Sequence, residues 1–249
     1  YVDQLGDYLL SQSEAPLNES RQEELRGMSV RVSSRGVYHK ELKRQVGQAP
    51  PPEASPTLVQ GEAAPERFPV RENGLSLELS FREGYSVGLF LDQRDNRRRL
   101  LTGHVAAGFP LLNERTGSAP AWEVLNAFAY TCGFSVCAAK AGARTTSLDL
   151  SKKVLEWGRR KFVLNGLDPG EHDFIYGDAQ GWLRRLAKKG RAFEVVILDP
   201  PTFSQSREHG AFRAEKDYGR LVSAALPLLK PDGVLFASTN AARFRPEEF

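Results

Sequence analysis

Apolar and polar positions divide the chain into two regimes. From Ala121 onward, apolar runs of strand length alternate with stretches of helical periodicity. "AWEVLNAFAY" predicts a strand, and "GFSVCAAKAG" a helix ending on Gly142. "RTTSLDL" predicts the next strand. "SKKVLEWGRRKFVLNG" predicts a helix with Ser151 as its N-cap and Gly166 just past its end. "HDFIYGDA", "FEVVILDPP" and "VLFAST" predict three more strands. "QGWLRRLAKKG" and "DYGRLVSAALPLLKPDG" predict the helices between them, the second closed by Pro-Asp-Gly. Alternating units of this kind imply parallel strands with helices on both faces of the sheet, an α/β, doubly wound fold.

Upstream the rhythm differs. "VRENGLSLELSF" sets Leu75, Leu77 and Leu79 on one face after an Asn-Gly turn signal, which predicts a β-hairpin with one buried face. "YSVGLFLDQRDNRRRLL" passes from strand-like to helix-like. Tyr1 to about Gln45 mixes short apolar runs with charge, and "RVSSRGVYHKE" predicts a strand pair turning at Gly36. Gln45 to Pro69 is rich in Pro, Ala and Glu, buries little and reads as a loop or linker. The expected division is an N-terminal extension and Pro-rich linker over 1–69, a hairpin and adjoining segment over 70–120, and the sheet domain over 121–249. No internal repeat is visible.

Composition narrows the classes. The 249 residues suffice for one α/β domain and an appendage, and 41% are apolar. No run has the length of a membrane-spanning helix, and the N-terminus lacks a signal-peptide pattern. The two cysteines, Cys132 and Cys137, form neither a disulfide framework nor a zinc spacing, so a cytoplasmic location is expected. The chain begins without Met and is expected to be a fragment. His39, His104, His172 and His209 are scattered without ligand spacing, and no metal is expected. A net charge of +3 is mild, but its distribution is uneven. Arg94, Arg97, Arg98 and Arg99 cluster beside "LFLDQRD". Arg159–Lys161 and the Arg184–Arg191 group read as solvated helix faces.

The candidate chemistry lies at the predicted strand ends, where ligands bind in such sheets. The first strand ends in "NAFAYTCGFS", the second in Asp149, the third in Asp178 and the fourth in Asp199-Pro-Pro. One acid at a strand end is usually a helix cap. Three in succession, after a turn of small residues, point to a nucleotide-like ligand. An acid about 20 residues past the first turn suits ribose hydroxyls. Asp178 suits an adenine amino group. The turn has neither the G-x-G-x-x-G pattern nor a G-K-[ST] phosphate loop, which argues against a pyrophosphate. A ligand with ribose and adenine but no phosphates fits better, and S-adenosylmethionine is such a ligand.

The stretch "VLNAFAYTCGFSVCAAKAGARTTSLDLSKKVLEWGRRKFVLNGL…FIYGDAQGWLRR…FEVVILDPPTFSQS" resembles the class I S-adenosylmethionine-dependent methyltransferases of large-subunit (23S) ribosomal RNA. The resemblance extends upstream through "ENGLSLELSFREGYSVGLFLDQRDNRRRL" and covers roughly Val70 to Phe249. It implies a Rossmann-like methyltransferase sheet, with further C-terminal strands expected beyond this chain. It places Phe128, Tyr130, Thr131 and Gly133 in the cofactor loop, Asp149 on ribose and Asp178 near adenine. Asp92, Gln93 and Arg94 match the upstream cofactor-side segment. Asp199, Pro200, Pro201 and Phe203 face the target base, with Asp199 also beside the cofactor. A base in folded RNA is held by stacking and by its edge, for which Phe203, the Asp199 carboxylate and the Pro200 carbonyl are suited. Arg97, Arg98 and Lys216 are expected on RNA.

Relatives of this kind include cytosine-C5 and guanine-N7 methyltransferases; exocyclic-amine methylation, which usually shows an aromatic directly after the Pro-Pro, is disfavoured by Thr202 but stays open. C5 chemistry adds a cysteine thiolate to the ring first. The C5 members carry that cysteine after the strand reading "LFASTN" here, where this chain has Ser238, Thr239 and Asn240. Guanine N7 already carries a lone pair, and "DPPTFS" and "RAEKDY" look closer to the N7 type. Lys216 and Asp217 either position the base or loop, or form a surface pair. Two other readings stay open: a methyltransferase of a protein or small molecule, and a non-catalytic RNA-binding or assembly protein with the same fold. For an RNA substrate, binding should weaken steeply with salt.

Overall fold

The computed structural model describes residues 1–42, 55–83, 86–111, 122–206 and 210–241. His209 and residues 45–54 of the Pro-rich stretch lie outside the described residues. Two compact units result, Tyr1–Leu91 and Asp92–Phe249. The division falls inside the stretch that the sequence assigned to one segment over 70–120.

In the first unit, β1 (Val2–Leu5), β2 (Tyr8–Ser13), β3 (Gly36–Glu41) and β4 (Thr57–Gly61) form a sheet in that order. The β2–β3 pair is parallel and the other two are antiparallel. Helix α1 (Glu19–Arg31) makes the β2–β3 crossover. Asn18 caps it, its side chain accepting from the Arg21 N–H at 2.9 Å. "RVSSRG" therefore closes a helix and turns, and only one strand follows from Gly36, not a strand pair. The expected linker contains β4.

β5 (Phe68–Glu72) and β6 (Leu75–Leu79) form the predicted hairpin. Asn73 and Gly74 both take positive φ, 50° and 81°, as a primed two-residue turn requires. Leu75, Leu77 and Leu79 are buried, and the last two share a core with Tyr8, Tyr38, Phe68 and Phe81.

The second unit opens with α2 (Arg94–Thr102) and a short hairpin, β7 (His104–Ala106) and β8 (Phe109–Pro110). The predicted alternation follows: β9 (Glu123–Ala127), α3 (Gly133–Lys140), β10 (Arg144–Asp149), α4 (Lys152–Leu164), β11 (Asp173–Tyr176), α5 (Ala179–Lys188) and β12 (Phe193–Leu198). Then come a hairpin of β13 (Phe203–Ser206) and β14 (Gly210–Arg213), α6 (Ala214–Ala225) and β15 (Leu229–Ala237). The sheet order is β11-β10-β9-β12-β15, and all its pairs are parallel.

Successive residues of a strand face opposite sides, so each strand serves two layers. Leu125, Leu148, Val196 and Leu198 pack with Leu183 and Leu186 of α5 and Leu221 of α6. The alternate positions Asn126 and Ser147 meet Ser135 of α3 on the other face. The structure is thus the α/β, doubly wound Rossmann-like sheet the rhythm predicted. One boundary differs. The helix expected to run to Pro-Asp-Gly stops at Ala225, where Pro227 lacks the N–H to continue it and a 3₁₀ turn follows. Lys230–Gly233 instead lie within edge strand β15, opposite a register shift between Phe193 and Val195. No helix among the described residues is long and apolar enough to cross a membrane.

Candidate active site

Five parallel strands deliver their C-terminal ends to one rim. In chain order, β10 and β11 extend from β9 on one side, and β12 and β15 on the other. The sheet therefore switches direction between β9 and β12, where a crevice opens in folds of this type. Asp149 and Asp199 end the strands on either side of β9. Two strand spacings separate them, roughly 10 Å. Asp178, after β11, stands about one spacing farther out.

The turn after β9 is wound unusually. Phe128, Tyr130 and Cys132 all adopt positive φ, at 62°, 46° and 58°. None is glycine, so the surroundings must hold this shape. The Ala129 N–H donates to the Leu148 carbonyl at 2.9 Å, and the Cys132 N–H to the Ala129 carbonyl at 2.7 Å. Asp149 does most. Its Oδ2 accepts from the Tyr130 N–H and its Oδ1 from the Ser151 N–H, each at 2.9 Å. One carboxylate thus fastens the cofactor-loop candidate to the start of α4. Burial raises the Asp149 pKa above the usual carboxylate range, and the N–H groups of Tyr130, Ser151 and Leu150 pull it partly back.

Asp178 caps α5, with Oδ1 accepting from the Gly181 N–H at 2.9 Å. Cap and ligand contact are compatible, because an ionised carboxylate has acceptor capacity for several partners.

Asp199 receives more support than the sequence suggested. Ser238, just past the neighbouring strand β15, donates its hydroxyl to Asp199 Oδ1. Gln93 approaches both, its Nε2 3.5 Å from Asp199 Oδ1 and 3.4 Å from Ser238 Oγ. Asn96 holds the Gln93 amide in turn, donating to its Oε1 at 2.8 Å. The Tyr218 hydroxyl lies 3.0 Å from the Leu198 carbonyl and 2.8 Å from that of Ser238, tying the two strand ends to α6. Burial pushes the Asp199 pKa up, the Ser238 bond lowers it, nearby Asp92 raises it and Arg97 lowers it. Burial thus raises the proton affinity of two carboxyls at the same sheet rim, as is common at functional sites.

Beyond Asp199, Pro200 is buried while Pro201 and Thr202 are exposed. Thr202 Oγ1 donates to Asn240 Oδ1 at 2.8 Å, and its carbonyl accepts from the Ala214 N–H at 3.0 Å. This fixes the loop and leaves the Phe203 ring 50% exposed, with the Arg213 guanidinium 5.3 Å from its centroid. Lys216, in the first turn of α6, is exposed, while the neighbouring Asp217 accepts from the Arg213 N–H at 2.9 Å and serves the start of that helix.

Other expected residues fall differently. Arg97, expected on RNA, is 2% exposed, so a phosphate cannot reach it; its charge acts inward on Asp199. Arg98 is exposed and stands 4.0 Å from Asp95. Asp92 and Arg94 are exposed. Gly133 begins α3, and Phe128 packs toward Phe212, ring centroids 6.0 Å apart. Thr131 is buried and its hydroxyl points at a lysine. That lysine, Lys161, is 0% exposed rather than on a solvated face. Cys132 and Cys137 are buried, and burial pushes the Cys132 thiol up to about 12. Among the described residues no cluster of three metal-ligating side chains occurs. Lys161 carried no sequence signal of a site role, and the contacts of Ser238 and Tyr218 at the strand ends were not visible in the motifs that contain them, because each acts through a partner distant in sequence.

The donor set fits S-adenosylmethionine. The strand ends present carboxylate acceptors, suited to hydroxyls, an amino group and positive charge. A polyphosphate would meet repulsion there.

Known proteins agree with this reading of the fold. Residues 34–249 match the S-adenosylmethionine-dependent methyltransferase family. Ribosomal RNA large subunit methyltransferase K/L of Psychrobacter cryohalolentis is 33% identical over 261 residues, covering 99% of this chain and 31% of that protein. The ribosomal RNA large subunit methyltransferase of Deinococcus radiodurans is 36% identical over 195 residues, covering 77% of this chain and 43% of that protein. The crystal structure of SMU.776, a candidate methyltransferase complexed with SAH, superposes with a TM-score of 0.81 at 31% identity. It matches all of this chain over 59% of its own. The chain thus spans about a third to a half of these curated relatives. With its parallel sheet, its acidic rim and this match over 34–249, the chain belongs to the family of S-adenosylmethionine-dependent methyltransferases.

Proposed function

We propose that the protein methylates a base of large-subunit ribosomal RNA at guanine N7, and that it works in the cytoplasm. The names of the relatives support the RNA class. One observation carries the choice of atom: after β15, where the resemblance puts a cysteine in C5 enzymes, this chain has Ser238, Thr239 and Asn240 and no cysteine, and the Ser238 hydroxyl is committed to Asp199. The cysteines the chain does have are buried, and the Cys132 thiol keeps its proton at neutral pH.

S-adenosylmethionine, when bound, supplies an electrophilic methyl group on a sulfonium. The chain's residues orient it. Asp149 accepts from ribose hydroxyls while keeping the turn in place, and Asp178 accepts from the adenine amine. The Tyr130, Thr131 and Gly133 backbone lines the turn, and Asp92, Gln93 and Arg94 close the near side. Asp199 and the Pro200 carbonyl hold the base edge, and Phe203 stacks on its face. N7 needs no general base, because it carries no proton. Methylation leaves the guanine positively charged, and a preorganised Asp199 carboxylate offsets that charge. Arg98 and Lys216, both exposed, are suited to phosphates.

The test uses the full-length protein, S-adenosylmethionine labelled at the methyl group and unmodified ribosomal RNA. The RNA is digested and the labelled nucleoside identified by mass spectrometry. Label in 7-methylguanosine is the expected result. Label in 5-methylcytidine keeps the RNA class and refutes the atom. No label refutes the substrate.

A further inference from the structure

A fully buried lysine lies beneath the turn that follows β9. Lys161, in the last turn of α4, is 0% exposed, and its Nζ donates to Thr131 Oγ1 at 2.6 Å. Burying an ammonium is costly unless it is paired, so such a residue persists where its bonds constrain something. Here the constrained element is a turn with three left-handed non-glycine residues, which relaxes unless held from several directions. Asp149 holds it at Tyr130. Lys161 holds it one residue later, from α4 rather than from the sheet. The same ammonium lies 5.6 Å from the Trp157 ring, and Trp157 stands 6.4 Å from the Tyr130 ring, so the flanking aromatics belong to the same assembly.

We infer that Lys161 is a positioning residue for the cofactor turn, acting through the Thr131 hydroxyl, and that Thr131 serves as its anchor point rather than as a direct ligand. The inference rests on the proposed reading of this rim as the cofactor site. The strut explains why Thr131 turns inward in a turn whose backbone is to meet ligand. It also couples α4 to the turn, since the Lys161–Thr131 bond links the helix's last turn to it.

The test is calorimetric titration of S-adenosylhomocysteine into the full chain, with ligand-free melting temperatures measured alongside. Lys161→Met keeps length without charge. Thr131→Val keeps shape without the hydroxyl, and Thr131→Ser keeps the hydroxyl. Lys161→Met, Thr131→Val and the double variant are each expected to weaken binding about tenfold or more, and by similar factors, since all lose the same anchor. Thr131→Ser should bind like wild type. Wild-type affinity in either single variant or in the double variant, with only melting changed, overturns the inference and makes the pair a packing feature. Absence of binding by the wild-type protein overturns the cofactor reading itself, and the strut with it.

Discussion

At Gly158, in the middle of α4, a missing side chain decides how near the helix comes to the turn. A Cβ built there would lie 2.3 Å from Cys132 Sγ and 2.8 Å from Cys132 Cβ. Gly158→Ala should therefore destabilise the protein by about 1–3 kcal/mol through overpacking, despite the better helix propensity of Ala. Adding Cys132→Gly removes both clashing atoms and suits a φ of 58°. Thermal unfolding should show recovery in the double variant, and a double variant no better than Gly158→Ala would contradict the contact. Residues of this kind were not legible in the sequence. Gly158 reads as a weak point in a helix, Lys161 as one charge among three, and Arg97 as part of a basic cluster. Their long stems or absent side chains acquire meaning only from what the fold sets opposite them. The strand-end acids were legible, because their places follow from period and topology alone.

At the scale of elements, Asp178 caps α5, and the proposed function gives it a second role as acceptor for the cofactor. Substitution separates them. Asp178→Asn keeps the cap, since Asn caps as well as Asp, but replaces one oxygen with an N–H donor. Its melting temperature should match wild type while affinity for S-adenosylhomocysteine falls. Asp178→Ala should lose about 1 kcal/mol of stability and the affinity as well. If Asp178→Asn binds like wild type, Asp178 is a cap alone. The strands and helices from Glu123 to Leu198 were readable from periodicity, caps and Gly punctuation. The α6–β15 boundary was not. Pro-Asp-Gly resembles a helix stop, and the signal that acted earlier was Pro227. The hairpin at Asn73-Gly74 was readable because a two-residue turn leaves little choice of register.

At the scale of the molecule, the parallel order β11-β10-β9-β12-β15 turns separate strand-end residues into one crevice. The sequence predicted a doubly wound sheet and its acids. It did not reveal that β15 would bring Ser238 beside Asp199, because strand order is a tertiary outcome. Nor was the four-stranded sheet of the first unit legible: its strands are separated by a charged helix and a Pro-rich stretch. The proposed function divides the rim into a cofactor end at Asp149 and a reaction end at Asp199. The most direct measurement is S-adenosylhomocysteine affinity, by calorimetry, together with single-turnover methyl transfer, for Asp149→Ala and Asp199→Ala of the full-length protein. The account predicts that Asp149→Ala weakens binding about tenfold or more. Asp199→Ala should bind within about threefold of wild type while transfer slows at least a hundredfold. Equal losses of affinity and transfer in the two variants would contradict the division.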